Sequence, residues 1–130
     1  MVVDSSAVLA ILLQEPEAVD FSAAIALDPL RLMSTASILE ATIVIRARRG
    51  QPGVDDLDRL LNRANVEPTE FDSDQLAVAR QAHRDFGKGR HPAGLNFGDC
   101  IAYALSKTSG EPLLFKGNDF TKTDVTSVLA

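Results

Sequence analysis

Four carboxylates stand where a charge is costly unless something compensates it: Asp4, Glu40, Asp99 and Asp119. Asp4 directly follows Val2-Val3 and precedes Ala7-Val8, so its carboxylate falls at the rim of the core; helix capping is the competing role there, one that Ser5 or Ser6 could also fill. Glu40 has Ala36, Ser37, Ile43, Val44 and Ala47 at helical spacing, an almost wholly apolar face. Ser37-Ile38-Leu39-Glu40 also fits a capping box, which would leave Glu40 a purely local role. Asp99, after Asn96-Phe97-Gly98, opens a helix, where the free N–H groups keep a carboxylate ionised whether it caps or binds a metal. Asp119 lies in the turn Lys116-Gly117-Asn118-Asp119-Phe120, and Asp124 is a further acid that reads as surface.

If the four met, they would repel one another strongly and would have to take up protons or bind a cation. A hard divalent ion answers that need. Mg²⁺, with Mn²⁺ as substitute, prefers oxygen ligands and is commonly shared between carboxylates and substrate phosphates, so the acids point to a phosphate ester. Cys100 is the sole cysteine, which excludes a disulfide within the chain and a cysteine-based zinc cluster, and suggests a reducing compartment such as the cytoplasm. His83 sits among Ala79, Arg80 and Arg84 and reads as a surface residue. Cys100 and Tyr103 read as packing residues.

The elements that must position these acids follow from patterning. Met1–Val3 reads as a buried strand, the segment from Ser5 or Ser6 to Leu13 as a helix, and Glu15-Pro16-Glu17 as the first turn of another helix ending near Leu27. Leu30–Met33 fits a second strand. A helix from Ser34 or Ser37 ends at Gly50, and helices over Val54–Asn65 and Ser73–Phe86 flank Val66–Phe71, a strand weakened by Pro68. Gly87–Leu95 is a loop, Asp99–Lys107 a helix, Pro112–Phe115 a strand, and Asp124–Leu129 a candidate edge strand. Alternating short strands and helices imply a three-layer α/β/α domain around a short parallel sheet. Ligands of such sheets bind beyond the carboxyl ends of the strands. Asp4 and Asp119 follow strands while Glu40 and Asp99 open helices, so all four are expected at that end.

With 130 residues, 45% of them hydrophobic, the chain can bury a sufficient core as one domain spanning 1–130. Its longest apolar run, Ala7–Leu13, is far short of the roughly eighteen residues of a bilayer span, and no basic residue precedes it as in a signal peptide. The net charge of −5 argues against a whole-surface grip on nucleic acid, but bases cluster at Arg46, Arg48 and Arg49 and again at Arg80, Arg84, Lys88, Arg90 and His91.

Taken together, Val2-Val3-Asp4-Ser5-Ser6-Ala7, Ser37 to Glu40, Gly87-Lys88-Gly89-Arg90-His91, Leu95-Asn96-Phe97-Gly98-Asp99-Cys100 and Leu113-Leu114-Phe115-Lys116-Gly117-Asn118-Asp119-Phe120 resemble, in order and spacing, the PIN-domain proteins. Within them the resemblance is to the VapC-type ribonuclease toxins of bacterial toxin–antitoxin pairs, and it covers essentially the whole chain. It implies a PIN-like fold and a Mg²⁺ or Mn²⁺ site that cleaves RNA, with the catalytic roles falling to Asp4, Glu40, Asp99 and Asp119. Asp4 and Asp99 would hold the first ion. Ser6 or Asn96 would orient a carboxylate, and Lys88 and Arg90 would guide the RNA backbone. It further implies a small cognate antitoxin and a homodimer, while the short apolar runs already point to no membrane association. Ser5 departs from the pattern, in which Thr is common.

Three other readings fit less well. A receiver-like phosphate-accepting domain has this length and a lysine ending a late strand, as Lys116 does, but Asp4 stands alone and no middle strand ends in Asp. A haloacid-dehalogenase-like phosphatase needs an acid where Ser6 stands. A PIN-like module that only binds RNA or protein would not require all four acids.

Overall fold

The computed structural model describes residues 1–129. Its strands are β1 (Val2–Val3), β2 (Leu32–Ser34), β3 (Glu67–Thr69) and β4 (Leu113–Leu114), and its helices α1 (Ser5–Leu12), α2 (Ala18–Leu27), α3 (Thr35–Arg63), α4 (Ser73–Phe86) and α5 (Phe97–Ser109). The sheet is parallel throughout in the order β3-β2-β1-β4, with Val2 in register with both Leu32 and Leu113. Successive strand residues point to opposite faces, and two residues suffice to bind two layers. Val3 and Leu114 join the cluster packed by α1, α2 and α3, whereas Val2 and Leu113 join the one packed by α4 and α5. This is the expected three-layer α/β/α arrangement.

Several boundaries differ from the sequence expectation for physical reasons. Glu15–Glu17 form a turn and not the start of α2, because Gln14 adopts a left-handed φ of 53° and Glu15 N–H bonds back to Ala10 O at 2.9 Å. The second strand begins at Leu32 because the backbone of Leu30 is committed elsewhere, its N–H donating to Asp28 Oδ1 at 2.9 Å and its carbonyl accepting from the Met1 ammonium at 2.7 Å. Gly50, at φ 65°, interrupts α3 where a stop was expected, but the chain resumes the helix at once, with Pro52 in the first turn of the resumed segment. Pro68 is tolerated because β3 is an edge strand. The tail makes a single parallel bridge, Leu113 to Ser127, instead of a strand.

The order of the sheet fixes where a ligand can sit. From β1 the chain moves to β2 and β3 on one side, then crosses to β4 on the other, so the crevice beyond the carboxyl ends of β1 and β4 is the switch point of the sheet. Asp4 follows the first of these strands, and Asp119 opens a 3-10 turn (Asp119–Lys122) after the second. Among the described residues, no helix is long and apolar enough to cross a membrane.

Candidate active site

Asp4 is 3% exposed at the end of β1 and caps α1, its Oδ2 accepting the Ser6 N–H at 3.1 Å and the Ser6 hydroxyl at 2.5 Å. The capping and functional readings therefore do not exclude each other, because capping uses one oxygen only. Oδ1 is buried with no hydrogen-bond partner. Burial pushes the Asp4 carboxyl up to about 6 from 3.8, against the lowering effect of Ser6 and with a further push from Glu40.

Glu40 lies in the second turn of α3, half-buried. The capping box expected at Ser37 is not formed: Ser34 caps α3 by accepting the Ala36 N–H, and the Ser37 hydroxyl is buried without a partner. The helix starts a full turn earlier than that box requires, which frees Glu40 from a local role. Its Oε1 accepts instead the Ser5 hydroxyl at 2.6 Å, across 35 residues of chain. The same carboxylate rests against Gly98, where any Cβ would overlap it. Sequence reasoning missed both contacts. Ser5 carries no signal beyond its adjacency to Asp4; Gly98 carries a faint one, a glycine in a helical first turn where other residues are better helix formers.

Asp99 is the third residue of α5 and closes a capping box with Asn96, which corrects the expected start of that helix by two residues. Asp99 Oδ2 accepts the Asn96 backbone N–H at 3.1 Å, and Asn96 Oδ1 accepts the Asp99 N–H at 2.9 Å. Asn96 thus reaches the carboxylate through its backbone and uses its amide as an acceptor. Burial, followed by the charges of Asp4, Asp119 and Glu40, drives the Asp99 carboxyl to about 7, with the Asn96 N–H pulling the other way. Asp4, Glu40 and Asp119 thus all lie near enough to act on Asp99, Asp119 from the exposed side. As placed, no group of three or more His, Cys, Asp and Glu among the described residues is arranged to hold a metal ion, and Glu40 and Asp99 each have an oxygen tied to a partner.

Residues 1–125 match the family model described as PIN domain. The chain belongs to the PIN-domain family. It is 55% identical to "Ribonuclease VapC30" of Mycobacterium tuberculosis over 128 residues, covering 98% of each chain. It is 56% identical to "Ribonuclease VapC" of Mycolicibacterium smegmatis over 128 residues, covering 98% of this chain and 99% of that one. Among solved structures it resembles VapC20 of Mycobacterium tuberculosis, with TM-score 0.78 and 16% identity over 96% of this chain and 95% of the other. A toxin–antitoxin complex from Klebsiella pneumoniae gives TM-score 0.71 and 14% identity over 95% and 92%. The two relatives place this PIN domain in the VapC group, and the two structures have its fold.

In this PIN domain the four acids suit a hard divalent cation: carboxylate oxygens are hard donors, and Asp4 Oδ1 is a buried acceptor lacking a donor. Lys116 does not serve the acids. Its ammonium pairs with Glu15 and, at 3.6 Å, with Glu17, while its N–H donates to Ser6 Oγ at 3.0 Å. The receiver-like reading loses its lysine accordingly. Asp124 is also held elsewhere, accepting from Tyr103 Oη at 2.6 Å and from Lys107 Nζ at 3.1 Å. Lys88 and Arg90 are exposed on the loop that leads to α5, a loop closed by a bridge between Gly87 and Leu95. His83 is exposed on α4, and Cys100 is buried.

Proposed function

We propose that this chain is a Mg²⁺-dependent endoribonuclease, with Mn²⁺ as substitute, that hydrolyses RNA phosphodiesters at Asp4, Glu40, Asp99 and Asp119. In this reading it is the cytoplasmic toxin of a type II toxin–antitoxin pair, a homodimer held inactive by its cognate antitoxin. One observation carries the metal site: the buried, unpartnered Oδ1 of Asp4, in a cluster whose acids raise one another's affinity for positive charge. The RNA reading is supported by the relatives named ribonucleases, and the antitoxin by the toxin–antitoxin complex of like fold.

Asp4 and Asp99 would hold the ion, with Glu40 and Asp119 completing its shell through water or holding a second one. When bound, the cation lowers the pKa of a water and stabilises charge developing on the phosphate and leaving oxygen. The chain supplies the alignment. Ser6 fixes one oxygen of Asp4 and leaves the other free; Ser5 fixes Glu40; the Asn96 N–H fixes Asp99. Charge cancellation requires the Asp4 and Asp99 protons to leave before either acid can serve as an ionised ligand. Lys88 and Arg90 meet RNA phosphates as positioning contacts without sequence choice.

The test is cleavage of structured RNA with Mg²⁺ or with EDTA, by the wild type and by Asp4→Asn. Metal-dependent cleavage lost in Asp4→Asn is expected; equal activity in the two proteins sinks the assignment. The alternative of a catalytically silent RNA- or protein-binding module draws on the absence of a ready-made three-acid ligand group among the described residues. Cleavage decides between them, since a silent module leaves structured RNA intact whether or not it binds Mn²⁺.

A further inference from the structure

We propose that Ser5 and Gly98 form a seat that aims the Glu40 carboxylate into the acidic cluster, Ser5 by a hydrogen bond to one oxygen and Gly98 by the room it leaves for the rest. Both are positioning residues, and the inference rests on the metal-dependent nuclease reading above.

Gly98 is buried in the first turn of α5, and its φ is not left-handed, so backbone conformation does not require glycine there. Alanine is the better helix former. What forbids it is contact: the three nearest atoms to a Cβ built on Gly98 are Glu40 Oε2, Cδ and Oε1, all at overlap distance. These belong to the end of a flexible side chain and not to backbone. An added methyl would therefore displace Glu40 and leave α5 in place. On the opposite flank Ser5, itself 8% exposed, donates its hydroxyl to Oε1 at 2.6 Å. A hydrogen bond to an ionised carboxylate is short and directional. A free glutamate has three side-chain torsions to fix; the hydroxyl and the bare Cα restrict them from two sides.

The adjacency of Ser5 to Asp4 and of Gly98 to Asp99 gives the seat its logic. The positioning residues neighbour two of the other three acids, so Glu40 is held by groups one peptide unit from Asp4 and from Asp99.

The experiment uses the full chain and compares wild type, Gly98→Ala, Ser5→Ala, Ser5→Thr, Glu40→Asp and the double variant Glu40→Asp/Gly98→Ala. Readouts are Mn²⁺ affinity by calorimetry, cleavage of structured RNA, and thermal melting. Gly98→Ala is expected to melt at or above the wild-type temperature, yet to lose cleavage on the order of 10²-fold and Mn²⁺ affinity about tenfold. Ser5→Ala loses Mn²⁺ affinity about tenfold, and Ser5→Thr, which keeps the hydroxyl, stays within about twofold of wild type. In the Glu40→Asp background, where the shorter side chain stands clear, Gly98→Ala adds little further loss. Wild-type behaviour in Gly98→Ala overturns the proposal, and so does an equal loss in both backgrounds. It fails as well if Ser5→Thr is as damaged as Ser5→Ala, or if Gly98→Ala unfolds, which would mean that more than Glu40 meets the methyl. A wild type that binds Mn²⁺ but cleaves no RNA defeats the nuclease reading alone; the dependence of Mn²⁺ affinity on positions 40 and 98 together then still decides the seat. A wild type that binds no Mn²⁺ overturns both.

Discussion

The Ser6 hydroxyl donates to Asp4 Oδ2 at 2.5 Å and accepts the Lys116 N–H at 3.0 Å, so one oxygen ties the acid after β1 to the backbone leaving β4. It spans the crevice in which the candidate site lies. Ser6→Ala removes the donor that lowers the Asp4 pKa and leaves the Lys116 N–H unpaired. The expected cost is about 1–3 kcal/mol of stability for a buried donor left unsatisfied. Mn²⁺ affinity should fall by about 10–100-fold, as for a lost outer-shell partner. Because Asp4 then holds its proton to higher pH, the loss of metal affinity should be larger at pH 6 than at pH 8. An affinity loss independent of pH counts against Ser6 acting through Asp4.

The raised carboxyls give stability a definite slope. Asp4 at about 6 and Asp99 at about 7 both lie above 3.8, so between about pH 4 and 7 the folded chain binds more protons than the unfolded one. Stability contributed by their protonated forms is lost as pH rises through those values. Asp28 and Asp124, held below 3.8 by the hydrogen bonds they accept, complete their titration beneath that window. In EDTA the melting temperature should therefore fall from pH 4.5 to 7.5. Mn²⁺, which needs both acids ionised, should restore more at pH 8 than at pH 5 and release protons on binding near pH 6. A melting curve in EDTA that rises across the window would falsify the assignment of these shifts.

What was legible from sequence follows from what patterning encodes. Three buried residues before Asp4 mark β1, and the i, i+3, i+4 pattern marks the start of α3, because each is local. Strands of two or three residues carry too little periodicity to fix their ends, so the start of β2 is set by contacts of Leu30 with Asp28 and with the distant Met1 ammonium, which no local pattern shows. Asp4, Glu40 and Asp99 stand out because apolar surroundings make charge conspicuous, whereas Asp119 is exposed and was legible only from its place after a strand. Their supports do not stand out: the Ser5–Glu40 bond spans 35 residues, and the need for glycine at 98 arises from a side chain on another helix. The capping box at Asn96 and Asp99 was hidden because Asp99 itself looked like the first helical residue.

Lys88 and Arg90 offer a test of RNA binding separate from chemistry. Both are exposed, and neither forms an ion pair among the described residues, whereas the exposed bases Arg59 and Lys107 are paired with acids. Replacing either by Ala should weaken RNA binding alike for all sequences and reduce the slope of log K against log salt by about 0.7–0.9. Mn²⁺ affinity should not move. An unchanged salt slope in the double variant removes this loop from the RNA path.

Asp99 separates the charge of the cluster from its structure. Asp99→Asn keeps an oxygen able to accept the Asn96 N–H, so the start of α5 survives while one of the repelling charges disappears. Asp99→Ala removes both, at a capping cost of about 0.5–2 kcal/mol. In EDTA at pH 8 the Asn variant should thus melt above the wild type and the Ala variant below the Asn variant. With Mn²⁺ only the wild type should gain stability, and neither variant should cleave RNA or slow growth when expressed without an antitoxin. Growth arrest that persists in Asp99→Asn would leave Asp99 a structural residue only; an Asn variant less stable than wild type in EDTA would mean that the acids are too far apart to repel.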